Sequence, residues 1–274
     1  MDELRKLQIT QLEMLKQIDR VCRENNIEYS LCGGTLLGAV RHSGFIPWDD
    51  DLDICMTREN YDKFINVWNM NRPEGLGLIL QNKDNSPGFP QSFTKVRKQN
   101  TTFLQNESER GKYHTGIFID IFPEDRIPIK KVERILFFWR CIRYQLYSRE
   151  FVPEGAHFLV RLVAFLLLRI TSSASREKKR AVLLTRLTKY NCYSDLSYVD
   201  FSVPRTMRIE LPSDLFDEYI FLKFEDQEFM CIKKWHQYLT LIFGDYLKMP
   251  PQNEQTWKHH PIILDFEHNV EDIL

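Results

Sequence analysis

Four carboxylates crowd into five positions, Asp49, Asp50, Asp51 and Asp53, within C-G-G-T-L-L-G-A-V-R-H-S-G-F-I-P-W-D-D-D-L-D-I from Cys32 to Ile54. Like charges a few ångströms apart repel at neutral pH, which costs free energy unless a cation neutralises them. If the chain from Asp51 onward is a strand, Asp51 and Asp53 share one face while Leu52 and Ile54 take the other. Carboxylates spaced in that way present hard oxygen ligands suited to Mg²⁺ or Mn²⁺. The competing reading is a solvated acidic turn. Because the acids run straight into an apolar strand and not into a flexible loop, the metal reading is preferred.

Gly33-Gly34-Thr35 supplies a complement. Two glycines let backbone approach a ligand closely, and the helix expected to follow offers free N–H groups to a phosphate. No G-K-[ST] follows, so this is no P-loop, and glycines at 33, 34 and 38 do not fit G-x-G-x-x-G. A third acid, needed to hold a second metal or to accept a proton, is Asp120, isolated in the apolar run G-I-F-I-D-I-F-P. A charge there is costly unless metal-bound or paired with an arginine. Cations for a ligand's phosphates are Arg41, and Lys95 with Arg97, which share a strand face in F-T-K-V-R-K. For these two a solvated face is the competing reading.

The elements that must position these groups alternate. Residues 2–25 form an amphipathic helix, with Leu4, Leu7, Leu15, Ile18 and Cys22 on one face. A short strand at 29–32 and a helix over 35–42, capped by Thr35, lead into a loop at 43–48. The pattern then predicts a strand over 51–56, a helix over 57–68, and strands near 76–81, 93–98 and 117–122. This helix–strand alternation is an α/β or α+β pattern, and it excludes a bundle or a sandwich.

The length of 274 residues fits one large domain or one and a half, and 43% hydrophobic with 27% charged residues excludes a disordered chain. The net charge of −1 hides an asymmetry: between Arg126 and Lys189 fifteen Lys and Arg face four acids, so that region carries +11 and the remainder −12. It contains Phe137, Phe138, Trp139, Tyr144, Tyr147 and the run F-L-V-R-L-V-A-F-L-L-L-R-I from Phe158 to Ile170. Thirteen helical residues reach only about 20 Å, short of a bilayer core, and Arg161 and Arg169 interrupt the run. Two readings stay open, a buried helix of a helical subdomain and a helical pair lying on an anionic membrane surface. No nucleic-acid motif is present. Six scattered cysteines lack metal or disulfide spacing, and M-D-E-L-R-K lacks an apolar signal core. Both point to a reducing, cytoplasmic location, with a peripheral place on the inner membrane face left open.

The stretch from Gly33 to Ile54 resembles the signature of the LicD family, which includes phosphorylcholine transferases and the fukutin group. K-V-R-K-Q-N-T-T-F (95–103), G-I-F-I-D-I-F-P (116–123), F-G-D-Y-L-K-M-P-P and the later His259-His260 extend the resemblance towards the C-terminus. It implies an α+β fold with a nucleotidyltransferase-like mixed sheet flanked by helices, here carrying a basic, aromatic-rich helical insertion. The expected organisation is a catalytic core over 1–125, the insertion over 126–190 and a C-terminal part over 191–274. The implied donor is a CDP-linked alcohol such as CDP-choline, and the acceptor is a sugar hydroxyl of a glycan or lipid-linked glycan, with CMP released. The resemblance implies that Asp51 and Asp53 bind Mg²⁺ or Mn²⁺ with Asp49 nearby, and that Gly33, Gly34 and Thr35 face the donor phosphates. Asp120 is then the third acid, as ligand or base, and His259 and His260 bind substrate. Adjacent histidines in an extended segment face opposite ways, so at most one need enter the site. Nucleotide transfer from an NTP and a non-catalytic membrane scaffold are the alternatives.

Overall fold

The computed structural model describes residues 2–70, 77–86, 88–149, 152 and 157–273. The chain divides into two compact units, one built from 1–81, 94–123 and 214–274, the other from 82–93 and 124–213. The fold is α+β, with a central sheet flanked by helices and a separate basic helical region.

In the first unit, α1 (Glu3–Glu24) buries Leu4, Leu7, Leu15, Ile18 and Cys22 as its periodicity requires, and it ends at Asn25. Gln8 and Gln11 lie buried in the same stripe. β1 (Ser30–Leu31) is followed directly by α2 (Gly33–His42), two residues earlier than expected. Gly33 makes that turn at φ +54°, where a Cβ would be strained. Thr35 therefore does not cap the helix; Cys32 takes the N-cap position without a side-chain bond. The Thr35 hydroxyl instead accepts from the Asp53 N–H at 2.8 Å.

β2 (Asp53–Thr57) starts two residues after the expected Asp51. The backbone of the acidic segment is engaged elsewhere: Gln8 Nε2 donates to the Asp49 carbonyl at 2.9 Å, and Gln11 Nε2 to that of Asp50 at 3.1 Å. α3 (Arg58–Met70), β3 (Leu78–Gln81), β4 (Thr94–Lys98), β5 (Thr102–Leu104) and β6 (Phe118–Arg126) follow. Residue 76, expected to open β3, lies outside the described residues. The strands run in the order β1-β2-β6-β4-β3, and the pairs β1/β2, β4/β6 and β3/β4 are antiparallel. In the β4/β6 register Lys95 faces Asp120 and Arg97 faces Phe118.

In the second unit, α4 (Lys131–Ser148), α5 (Phe158–Ile170), α6 (Ser173–Thr188) and the short β7 (Tyr198–Val199) carry the basic region. β7 pairs with the end of β6, Asp125 opposite Val199 and Arg126 opposite Tyr198. Its core joins Phe137, Cys141 and Tyr144 of α4 to Leu183 and Leu187 of α6, with Tyr190 and Phe201. The reading of Phe158–Ile170 as a buried helix does not hold: the run is a helix, but it buries Ala164 alone. No single described helix is long and apolar enough to cross a membrane, and the pair from Phe158 to Cys192 bends by 116°.

The first unit is completed by the hairpin β8 (Tyr219–Phe224) and β9 (Gln227–Ile232), helix α7 (Trp235–Phe243) and β10 (Ile263–Asp265), which pairs with β5. Glu225 at the hairpin tip accepts from the Phe45 N–H at 3.1 Å and from the two terminal guanidinium nitrogens of Arg5, which braces the loop before Asp49. All six cysteines are free thiols, five of them buried as small hydrophobes.

Candidate active site

The site forms within the first unit, at the start of α2 and at the neighbouring β2, β6 and β4. The helix start brings backbone against carboxylate. A Cβ on Gly34 would stand 2.7 Å from an Asp49 carboxylate oxygen, and one on Gly33 3.2 Å from an Asp53 oxygen. At the α2 N-terminus the Gly33 N–H donates to the Tyr238 hydroxyl at 3.2 Å, and the Leu36 N–H to the Cys32 carbonyl at 3.1 Å. That leaves the Gly34 and Thr35 N–H groups as donors for an anion.

Asp49, Asp51, Asp53 and Asp120 feel one another electrostatically. Burial, then the charge of Asp51, pushes the Asp49 carboxyl up to about 8, against an opposing pull from Lys258. Burial and the charges of Asp51, Asp120 and Asp49 hold Asp53 well above the usual carboxylate range. Asp51 is raised by burial and by Asp120 and Asp50, with His259 opposing. Carboxylates that raise one another in this way would be relieved by a cation placed among them.

Asp50 has a different role, which its neighbours in sequence concealed. It is fully buried, and its carboxylate accepts from the Lys258 N–H at 3.2 Å and the His259 N–H at 2.9 Å, with His259 Nδ1 at 3.2 Å. Burial alone would raise its pKa, but the His259 bonds and charge outweigh that and the net shift is downward. Burial in turn disfavours the charged imidazole, yet the bond to Asp50 and the nearby Asp51 charge leave His259 raised. The imidazole also stands edge-on to Phe118, centroids 6.0 Å apart. Asp50 thus fastens the C-terminal segment to the acidic loop, and His259 Nδ1 comes to 3.7 Å from Asp51. Ligand atoms of Asp50, Asp51 and His259 lie within 4.8 Å of one another, a candidate metal cluster of two carboxylates and an imidazole. That donor set fits a hard or borderline divalent cation.

Lys95 and Arg97 are not on a solvated face, being only 6% and 4% exposed. Lys95 Nζ pairs with Asp120 at 2.5 Å and lies 3.4 Å from the Phe118 ring centroid. Arg97 donates to the Gln81 amide oxygen and to the Gly116 carbonyl, and it also faces Phe118. Burial lowers the pKa of both cations, Arg97 to about 10. Arg41 is half-buried and donates to the Tyr246 carbonyl at 3.2 Å, with Asp49 as its charge partner. His260 is exposed, at φ +36°, so of the two histidines only His259 turns to the acids.

The sequence singled out neither Asp50 as an anchor nor Gln8 and Gln11. A signal for the glutamines existed: two amides three residues apart on the largely apolar face of α1, which also buries Asp19. Tyr238, Phe118 and Lys258 carried none.

A glycine-led helix start beside carboxylates clustered on a loop and two adjoining strands fits a nucleotidyltransferase-like catalytic domain. The description "LicD/FKTN/FKRP, nucleotidyltransferase domain" matches residues 26–140, the stretch containing α2, the acidic segment and Asp120. The chain is 30% identical over 268 residues to the lipopolysaccharide cholinephosphotransferase LicD of Haemophilus influenzae, a match covering 94% of this chain and 96% of the relative. Two shorter matches of 50% identity over 48 residues, 18% of this chain, are to uncharacterized proteins of Rickettsia prowazekii and Rickettsia typhi, covering 18% and 16% of them. The chain belongs to the LicD family.

Proposed function

We propose that this protein transfers a phospho-alcohol, phosphocholine first among the options, from a CDP-linked donor to a sugar hydroxyl of a cell-surface glycan precursor. The observation that carries the reading is the cluster of carboxylates at a helix N-terminus, Asp49 against Gly34 and Asp53 against Gly33, with Asp51 between them in sequence. The near-full-length likeness to a lipopolysaccharide cholinephosphotransferase supports both the alcohol and the glycan acceptor.

In this reading Asp51 and Asp53 would hold Mg²⁺ or Mn²⁺, with Asp49, Asp120 and His259 around them, while Asp50, although near enough to join the cluster, keeps its bonds to Lys258 and His259. The ion supplies charge neutralisation at the donor diphosphate. The N–H groups of Gly34 and Thr35 orient the diphosphate, and Arg41, Lys95 and Arg97 add positive field around it. An acceptor hydroxyl oxygen forms the new bond to the phosphorus that bears the alcohol, the bond from that phosphorus to CMP breaks, and CMP leaves with the electron pair. The hydroxyl proton passes to a carboxylate, for which Asp120, steadied by Lys95, is our choice. His259 orients substrate beside Asp51, and His260 plays a lesser part at the rim. The reaction runs on the cytoplasmic side, and a lipid-linked glycan presented at the inner membrane face suits it.

Incubation with a panel of CDP-alcohols, Mg²⁺ and a glycan acceptor tests the proposal by product analysis. CMP together with a phospho-alcohol-bearing glycan is the expected result. Pyrophosphate formed from an NTP, with no CMP from any CDP-alcohol, would replace this reading with transfer of the nucleotide itself.

A further inference from the structure

The second unit presents an apolar surface that its own fold does not use. α4 carries two stripes. Phe137, Cys141, Tyr144 and Ser148 face inward to the core shared with α6. On the other side Val132, Ile135, Leu136, Trp139 and Ile142 recur at the spacing of a buried helix face, yet all are exposed, Trp139 by 61%. α5 goes further, because Phe158, Leu159, Leu162, Val163, Leu166 and Ile170 all stand in solvent, Phe158 by 71%. Exposed apolar side chains in such numbers on two helices mark an interaction site.

The charge around it limits the occupant. Arg143 on α4, Arg161 and Arg169 on α5, and Lys178, Lys179 and Arg186 on α6 are exposed. The region from 126 to 189 carries +11 in a chain whose total is −1. A second copy docked through this face would bring two such regions together, at a large repulsive cost. An anionic phospholipid leaflet answers both features, since acyl chains take up the apolar stripes while Lys and Arg stems lie along them and reach the headgroups. α5, at about 20 Å, is too short to cross a bilayer, so it would lie in the interface, where Trp is also favoured.

We infer that the outward faces of α4 and α5 form a docking surface for an anionic lipid bilayer. The inference does not depend on the transfer chemistry: vesicle binding needs neither donor nor metal, so either can fail without the other.

Co-sedimentation of the full chain with phosphatidylcholine vesicles, with and without phosphatidylglycerol, tests it. Binding at least about tenfold tighter to the anionic vesicles is expected, weakening with added salt. Leu162→Glu with Leu166→Glu, and separately Arg161→Glu with Arg169→Glu, should each reduce that binding about tenfold or more. The wild type provides a readout that no folding defect can blur: brominated lipid should quench its tryptophan fluorescence, and Trp139→Phe should remove most of that quenching. Equal or absent binding of wild type to the two vesicle types would overturn the inference. So would a soluble dimer that the leucine substitutions convert to monomer, which would assign the face to a second copy.

Discussion

Asp53 concentrates the chemistry of the site in a single side chain. It opens β2, its N–H is held by the Thr35 hydroxyl, and its carboxylate faces three other acids. An uncharged amide of the same shape removes the repulsion and, in the proposed mechanism, a ligand of the cation as well. Asp53→Asn should therefore keep the fold, raise the melting temperature of the metal-free protein at mildly alkaline pH, and lower turnover at least about a hundredfold. Thermal melts in chelator beside CMP-release assays separate the two effects; a variant that lost stability but kept turnover would contradict this role for Asp53. Asp50→Asn should behave differently. It weakens the tie to Lys258 and His259, so the C-terminal segment loosens, and amide exchange at 258–259 should quicken.

At the scale of elements, α1 is the brace of the acidic loop. Gln8 and Gln11 reach from its buried face to the carbonyls of Ile46, Asp49, Asp50 and Phe118. Gln11→Ala leaves two buried carbonyls without that donor and should cost about 1–3 kcal/mol in denaturant unfolding, with metal affinity falling alongside. Unchanged metal affinity in a destabilised variant would show that the brace serves the fold alone. α2 is seated as closely: a Cβ on Gly38 would meet the Gly44 carbonyl at 2.5 Å, so Gly38→Ala should destabilise by about 1–3 kcal/mol. Elements with a strong period were readable in advance, including α1, α2, α3 and most of the central sheet. The acidic segment was not, because its backbone is taken up by side chains from α1 and its Asp50 by residues more than 200 positions away. No local pattern encodes contacts of that span, which is also why Thr35 looked like a cap and proved to be an acceptor for Asp53. The exposure of α5 was equally hidden, since thirteen largely apolar residues read the same whether protein or lipid covers them.

For the whole molecule, the raised carboxylates make stability depend on both pH and metal. A carboxyl whose folded pKa exceeds its unfolded value binds more protons in the folded state, so stability falls as pH rises between the two values. Asp49, pushed up to about 8, and Asp53, higher than normal by burial and its acidic neighbours, both have this sign. In chelator the melting temperature should drop from about pH 5 to about pH 8, and Mg²⁺ or Mn²⁺ should restore most at the upper end. Asp50 works in the opposite sense, its lowered carboxyl losing stabilisation as pH falls, whereas the raised His259 imidazole shares the sign of Asp49 and loses its contribution as pH rises. The most direct measurement is a crystal grown with Mn²⁺ and CDP-choline, read by anomalous scattering at the manganese edge. A peak at the Asp51 and Asp53 carboxylates is expected, with the donor phosphates at the Gly34 and Thr35 N–H groups. Donor bound equally well in chelator, with no peak among these aspartates, would contradict it.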